Sequence, residues 1–170
     1  MHGKEISQLD KSTYTKLVLS AESTLYRVAK TILMNDKDCE DAVQEAILKS
    51  YEKRNTLREE KFFQTWLVRI LINECYAIQR KARPAVPYEE YMDGMDEKAA
   101  EIETEAADYS ELYQALYELP EAIRITVVLY YVEGYALKEI KKILDIPEGT
   151  VKSRLSKGRK LLKSKLESKR

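Results

Sequence analysis

Residues 84–111 carry ten acidic side chains against one basic, two prolines, one glycine and no sustained apolar stripe. A stretch of that composition cannot bury enough apolar surface to offset the entropy of ordering it. The chain is therefore predicted to be all-α in two small units: a domain over 1–83, a flexible acidic linker over 84–111 and a second domain over 112–170. At 170 residues in all, each unit lies at the small end of the usual domain range. The formal net charge of zero hides an uneven distribution, with 15 basic and 12 acidic side chains in 1–83 and 13 basic and 7 acidic in 112–170. Two basic segments separated by an acidic one suit a polyanionic partner. The same surplus also suits an ordinary solvated surface.

Both flanks read as helices. Apolar residues recur at helical spacing from Tyr14 through Leu17, Val18, Ala21, Leu25 and Val28 to Leu33, with Asp10 or Ser12 as the N-cap. Asn35-Asp36-Lys37-Asp38 breaks this stripe, and Asp38 is expected to cap a second helix through Ala42, Val43, Ala46, Ile47 and Tyr51. Glu52–Lys61 reads as a loop. Phe62, Phe63, Trp66, Leu67, Ile70, Leu71, Cys75 and Ile78 form a third helix, stopped by Pro84. Beyond the linker, Tyr109–Leu119 ends at Pro120, Glu121–Val132 ends at Gly134 as the left-handed C′ residue, and Leu137–Leu144 is short. After Asp145-Ile146 the last helix runs to about Leu166, with Pro147 at its first position.

Several chemistries are disfavoured. Cys39 and Cys75 are the only cysteines and His2 is the only histidine, which does not make a zinc site of usual spacing. Both cysteines read as packing thiols. No glycine-rich phosphate loop and no nucleophile–base motif is present, so no metal, no cofactor and no enzymatic activity are expected. No apolar run approaches the roughly 20 residues of a membrane span, and the start Met1–Glu5 lacks the apolar core of a signal peptide. The expected location is the cytosol.

The most specific pattern is Gly134-Tyr-Ala-Leu-Lys-Glu-Ile-Lys-Lys-Ile-Leu-Asp-Ile-Pro-Glu-Gly-Thr-Val-Lys-Ser-Arg-Leu. A short helix, a tight turn and a longer helix make a helix-turn-helix. On the longer helix Val151, Leu155 and Leu162 share one face, facing Ile140 and Ile143. Thr150, Ser153, Arg154 and Lys157 follow i, i+3, i+4, i+7 on another. That polar face suits a major groove, where arginine reads guanine and the shorter polar groups reach bases or phosphates. Lys152, Arg159, Lys160 and Lys163 are placed for phosphates.

Three segments carry a resemblance. Leu119-Pro120-Glu121 onward, through Pro147-Glu-Gly-Thr-Val-Lys-Ser-Arg-Leu-Ser, resembles the promoter −35 binding domain of the sigma-70 family of transcription initiation factors. Asp41-Ala-Val-Gln-Glu-Ala resembles the family's RNA polymerase-binding helix, and Phe62-Phe-Gln-Thr-Trp-Leu-Val-Arg-Ile-Leu-Ile-Asn73 its promoter-melting, −10-reading helix. The matches cover about 20–83 and 112–166 in the right order, and the short chain points to the extracytoplasmic-function (ECF) subfamily. Four residues depart from the family pattern. Ala136 stands for a small or capping residue, Lys141 for alanine, Asp145 for glycine at the turn and Gly158 for alanine. Loss of a hydroxyl cap costs about 1 kcal/mol, and a glycine inside a helix up to about 1 kcal/mol.

The resemblance implies a sigma factor that binds core RNA polymerase through Asp41, Gln44 and Glu45. It implies contact with single-stranded −10 DNA through Asn55, Phe62, Phe63, Trp66, Arg69, Asn73 and Arg80, with the loop Lys53–Lys61 capturing a flipped base. Gln79, Lys81 and Arg83 would join Arg69 and Arg80 on phosphates. Double-stranded −35 DNA would meet Thr150, Lys152, Ser153, Arg154, Lys157 and Arg159. An anti-sigma factor is the implied regulator and the only route to a membrane. Taken by spacing alone, Phe62, Phe63, Trp66 and Ile70 are core residues and Asp41, Gln44 and Glu45 a solvated face. A polymerase-independent regulator and a purely structural helical adaptor are the competing readings.

Overall fold

The structure is a computed structural model and describes residues 9–82 and 110–169. Most of the acidic linker (84–109), Arg83, Pro84 and the first eight residues lie outside the described residues. The chain divides into two compact units, with the main boundary after Gln79.

The N-terminal unit is built on α1 (Lys11–Leu33), α2 (Asp36–Glu52) and α3 (Phe63–Ala82). Asp10 caps α1, its Oδ1 accepting the Thr13 amide at 2.7 Å, and those backbone hydrogen bonds hold its carboxyl below the ordinary carboxylate range. Met34 turns left-handed at φ 60°. The second helix then starts earlier than expected. Asn35, not Asp38, is the N-cap, and its Oδ1 accepts the Asp38 amide at 3.1 Å. Asp36 and Asp38 instead lie in the first turn, where the helix dipole favours acidic groups. Leu25, Val28 and Ala29 of α1, Ala42 and Ala46 of α2, and Leu67, Val68, Leu71 and Cys75 of α3 are all fully buried. At about 1.5–3 kcal/mol for each large side chain removed from water, these residues dominate the unit's stability. Polar ties fix the register: the Tyr14 hydroxyl donates to the Ile47 carbonyl at 2.8 Å, and Gln79 Nε2 donates to the Ile32 carbonyl at 3.2 Å. Both cysteines are buried, as packing thiols are, and burial pushes the Cys39 thiol up to about 11.

The C-terminal unit contains α4 (Ser110–Tyr117), α5 (Glu121–Val127), α6 (Leu137–Leu144) and α7 (Glu148–Ser168). Arg124 is 6% exposed, and its Nη1 donates to the Tyr117 and Leu119 carbonyls at 2.9 and 3.2 Å. A buried arginine thus satisfies the open end of α4, and the same burial lowers its pKa. The helix expected over Glu121–Val132 forms without a break, but its last five residues are not α-helical. A π-helical turn covers Val128–Val132, where the Glu133 amide bonds five residues back to the Val128 carbonyl at 3.0 Å. Every residue from Ile123 to Leu129 is buried. The widened turn shifts the register, and Tyr130, Tyr131 and Val132 emerge exposed. Gly134 then takes φ +75°, as its expected C′ role requires.

Candidate nucleic-acid interface

The helix-turn-helix is formed by α6 and α7. Ala136 supplies no side-chain cap for α6, but Glu139 Oε2 accepts the Ala136 amide at 2.8 Å. This is the returning half of a capping box, and it offsets the missing hydroxyl. The turn closes as a Schellman motif: Asp145 is left-handed at φ 53°, and the Ile146 amide reaches the Lys141 carbonyl at 3.2 Å. Asp145 thus adopts the conformation for which glycine would be the relaxed choice. Pro147 is the N-cap, extended at ψ 148°, rather than the first helical residue, and α7 begins at Glu148. Lys141 is exposed.

Ile140, Ile143, Val151 and Leu155 are buried as the apolar pattern requires, while Leu162 is half-buried. Against α5 the approach is close at Gly158, which is buried. A Cβ there would lie 2.6 Å from Val127 Cγ2 and 3.1 Å from Ile123 Cγ2. The glycine expected to weaken the helix is therefore what lets α7 seat against α5. With that face inward, Ser153 and Lys157 are exposed, and Thr150 and Arg154 half-buried, along one outer stripe. Ser153 Oγ donates to the Thr150 carbonyl at 3.1 Å. Lys152 and Arg159 are exposed beside it. Lys152 lies 3.6 Å from Glu148, and Arg159 Nη1 donates to the Tyr131 hydroxyl at 3.0 Å.

Along α3, Arg69, Asn73 and Arg80 are exposed and Trp66 half-buried, at spacings that align them on one face of the helix. The loop expected before α3 contains two 3₁₀ turns, Arg54–Thr56 and Glu60–Phe62. It is pinned by buried Leu57 and by Arg54, whose Nη1 donates to the Tyr51 carbonyl at 2.8 Å while the guanidinium lies 4.0 Å over the Tyr51 ring. Asn55 is exposed on the first turn. The two phenylalanines separate. Phe62 is 43% exposed, with Lys61 Nζ 5.0 Å from its ring centre. Phe63 is 2% exposed, edge-on to Tyr14 at 5.8 Å and 5.9 Å from Trp66. It sits in the core that the spacing of residues alone assigned it, and supports the surface from behind. A groove of about 540 Å³ opens between Leu17, Ser20 and Ala21 of α1 and Glu60, Lys61, Phe63 and Gln64.

Asp41, Gln44 and Glu45 are all exposed on α2, and Leu48, one further step along the same stripe, is 53% exposed. Leu48 was absent from the sequence-derived set, although its i+7 position from Asp41 was visible. Tyr131, whose hydroxyl accepts from Arg159 Nη1, was also absent and is not marked by any spacing in the sequence. Among the described residues no group of three or more metal-ligating side chains comes together, and no helix is long and apolar enough to cross a membrane.

Residues 17–84 match the family described as sigma-70 region 2, and residues 109–162 match sigma-70, region 4. The ECF RNA polymerase sigma factor SigM of Mycobacterium tuberculosis (strain ATCC 25618 / H37Rv) is 31% identical over 152 residues, covering 88% of this chain and 75% of SigM. The chain belongs to the ECF sigma factors. SigW of Bacillus subtilis (strain 168), another ECF sigma factor, is 28% identical over 177 residues, covering 96% of this chain and 94% of SigW. The fold of this sigma factor is similar to that of RpoE from Bartonella quintana, solved in complex with the anti-sigma factor NepR. The TM-score is 0.71 and the identity 24%, over 92% of this chain and 98% of that one. This is a family of transcription initiation factors, not of catalytic enzymes.

Proposed function

We propose that this sigma factor binds core RNA polymerase through the α2 stripe, reads −35 DNA with α7 and holds melted −10 DNA with α3 and the loop before it. The domains that do this are 1–83 and 112–170, joined by the acidic linker 84–111. The observation that carries the reading is the outer stripe of α7. Ser153 and Lys157 are exposed, and Thr150 and Arg154 half-buried, on one outer face of the second helix of a helix-turn-helix, the element that enters a major groove. Arg154 presents the bidentate fork that matches guanine, and Lys152, Arg159, Lys160 and Lys163 line its flank for phosphates.

Promoter opening needs no covalent chemistry on the protein; it needs tighter binding to opened than to closed DNA. Phe62 offers an exposed ring on which an unstacked base can lie, and the pinned loop beside the groove offers a pre-ordered receptacle. Arg69, Asn73 and Arg80 extend that surface along α3, with Phe63 and Trp66 as its packed support. Two DNA-binding units on one chain raise joint affinity through effective concentration, provided polymerase holds them at the spacing of the two elements. The acidic linker repels DNA phosphates and weakens binding of free DNA by the lone factor. RpoE, similar in fold, is bound by an anti-sigma factor, and a protein of that kind is the inferred regulator here. Its place of action is the cytosol, with the polymerase.

In-vitro transcription with core polymerase on a promoter library tests the reading. Added factor should select start sites, and Arg154→Ala should relax discrimination at one −35 position by about 1–3 kcal/mol. A uniform loss across all sequences would instead make Arg154 a phosphate contact. Specific promoter binding without polymerase would favour an independent regulator.

A further inference from the structure

We propose that Tyr131 is a positioning residue that pre-orders Arg159 for a DNA backbone phosphate. The inference rests on the reading of α7 as a promoter-contacting helix and deepens it. Arg159 stands seven residues after Lys152 and four before Lys163, and all three are exposed along one edge of α7. An arginine on such an edge ordinarily samples many rotamers, and its immobilisation opposes binding. Here Arg159 Nη1 donates to the Tyr131 hydroxyl oxygen at 3.0 Å. That bond uses one of five guanidinium N–H groups and leaves the others for a phosphate, the anion whose geometry the fork matches. Tyr131 is itself oriented, with its ring edge-on to Tyr130 at 4.9 Å and 85°. It is 52% exposed, so its ring is not there to fill the core. Tyr131 lies within the π-turn at Val128–Val132, and single π-turns within helices recur at functional sites.

The test uses the full chain and short duplex DNA of random sequence, with affinity measured across a range of salt concentrations. Tyr131→Phe keeps the ring and removes the acceptor. It should weaken binding about three- to tenfold at low salt and make the salt dependence shallower. Arg159→Ala should weaken binding at least as much and lower the slope by about one. The double variant should bind no more weakly than Arg159→Ala alone, because Tyr131 acts only through the arginine. Losses that add in the double variant overturn the inference, as does wild-type affinity for Tyr131→Phe beside a weakened Arg159→Ala. Lys152→Ala and Lys163→Ala, which remove the phosphate contacts on either side of Arg159, separate the two levels. If neither changes duplex binding, the reading of α7 itself fails; if both weaken it and Tyr131→Phe does not, only the role of Tyr131 fails.

Discussion

The two units solve the same problem, exposing a charged helix face above an apolar core, by different means. In the N-terminal unit three long helices of ordinary geometry surround a core of leucine, valine, isoleucine and alanine, and Asp10 and Asn35 cap the starts of the first two. The C-terminal unit uses shorter helices and irregular devices: a π-turn, a left-handed aspartate, a buried arginine on two carbonyls and a glycine under a helix crossing. The first unit depends on volume, spread over many residues. The second depends on a few residues whose shape or donor count has no substitute. A large core truncation and a single added methyl should therefore probe different things.

The largest effect belongs to the N-terminal core. Leu71 is fully buried, and Leu71→Ala removes its packing and leaves a cavity, costing about 2–5 kcal/mol. The one tryptophan of the chain, Trp66, lies on α3 of the same unit, so denaturant unfolding followed by its fluorescence reports this unit. A loss below about 1 kcal/mol would mean that the three helices re-pack around the gap, and that volume is not what holds them.

The same contrast explains what was legible in the sequence. Helical spacing located α1, α2 and α3 and their buried faces, because a stripe of period 3.6 is a property of side chains alone. It also located the inner and outer faces of α7 through Val151, Leu155, Arg154 and Lys157. The cap of α2 was misassigned because Asn35 and Asp38 are both good capping residues, and the choice depends on where Met34 turns the chain. The π-turn was invisible, since a helix that buries every residue from Ile123 to Leu129 has no stripe whose shift would betray an extra residue. The separation of Phe62 from Phe63 followed from the 3₁₀ turn before α3, which spacing does not encode. Gly158 was misjudged for a related reason: helix propensity is local, but its role is set by Val127 and Ile123, about thirty residues away.

Gly158→Ala is the next largest effect and the sharpest, because two physical arguments give opposite signs. Intrinsic propensity favours alanine by up to about 1 kcal/mol. The Cβ, however, would lie 2.6 Å from Val127 Cγ2, and a β-branched valine has little rotamer freedom with which to retreat. Overpacking should win, with a net loss of about 1–3 kcal/mol. Hydrogen exchange of the α5 amides measures it in the right place. Increased protection would show that the α5–α7 crossing can relax, and that the C-terminal unit is less constrained than the comparison implies.

The smallest effect concerns a clasp beyond residue 162, where the sigma-70 region 4 match ends. Lys165 Nζ donates to Glu118 Oε2 at 3.0 Å, and Lys169 Nζ lies 4.0 Å from Oε1. These contacts tie the last turns of α7 to the segment after α4. The Lys165 hydrogen bond holds the Glu118 carboxyl below its ordinary value. A carboxyl lowered in the folded state contributes stability that is fully present above its unfolded value and is lost as pH falls through the folded one. The Glu118 side chain is 42% exposed, so water screens the pair and its contribution should stay below about 1 kcal/mol. Glu118→Gln should therefore be slightly less stable than the parent at neutral pH and converge with it under acid, with added salt shrinking the gap in the same way. A gap that is unchanged by acid and by salt would reassign the clasp from charge pairing to packing of the lysine stems against α4, and would extend the reliance on side-chain shape to the last turn of the chain.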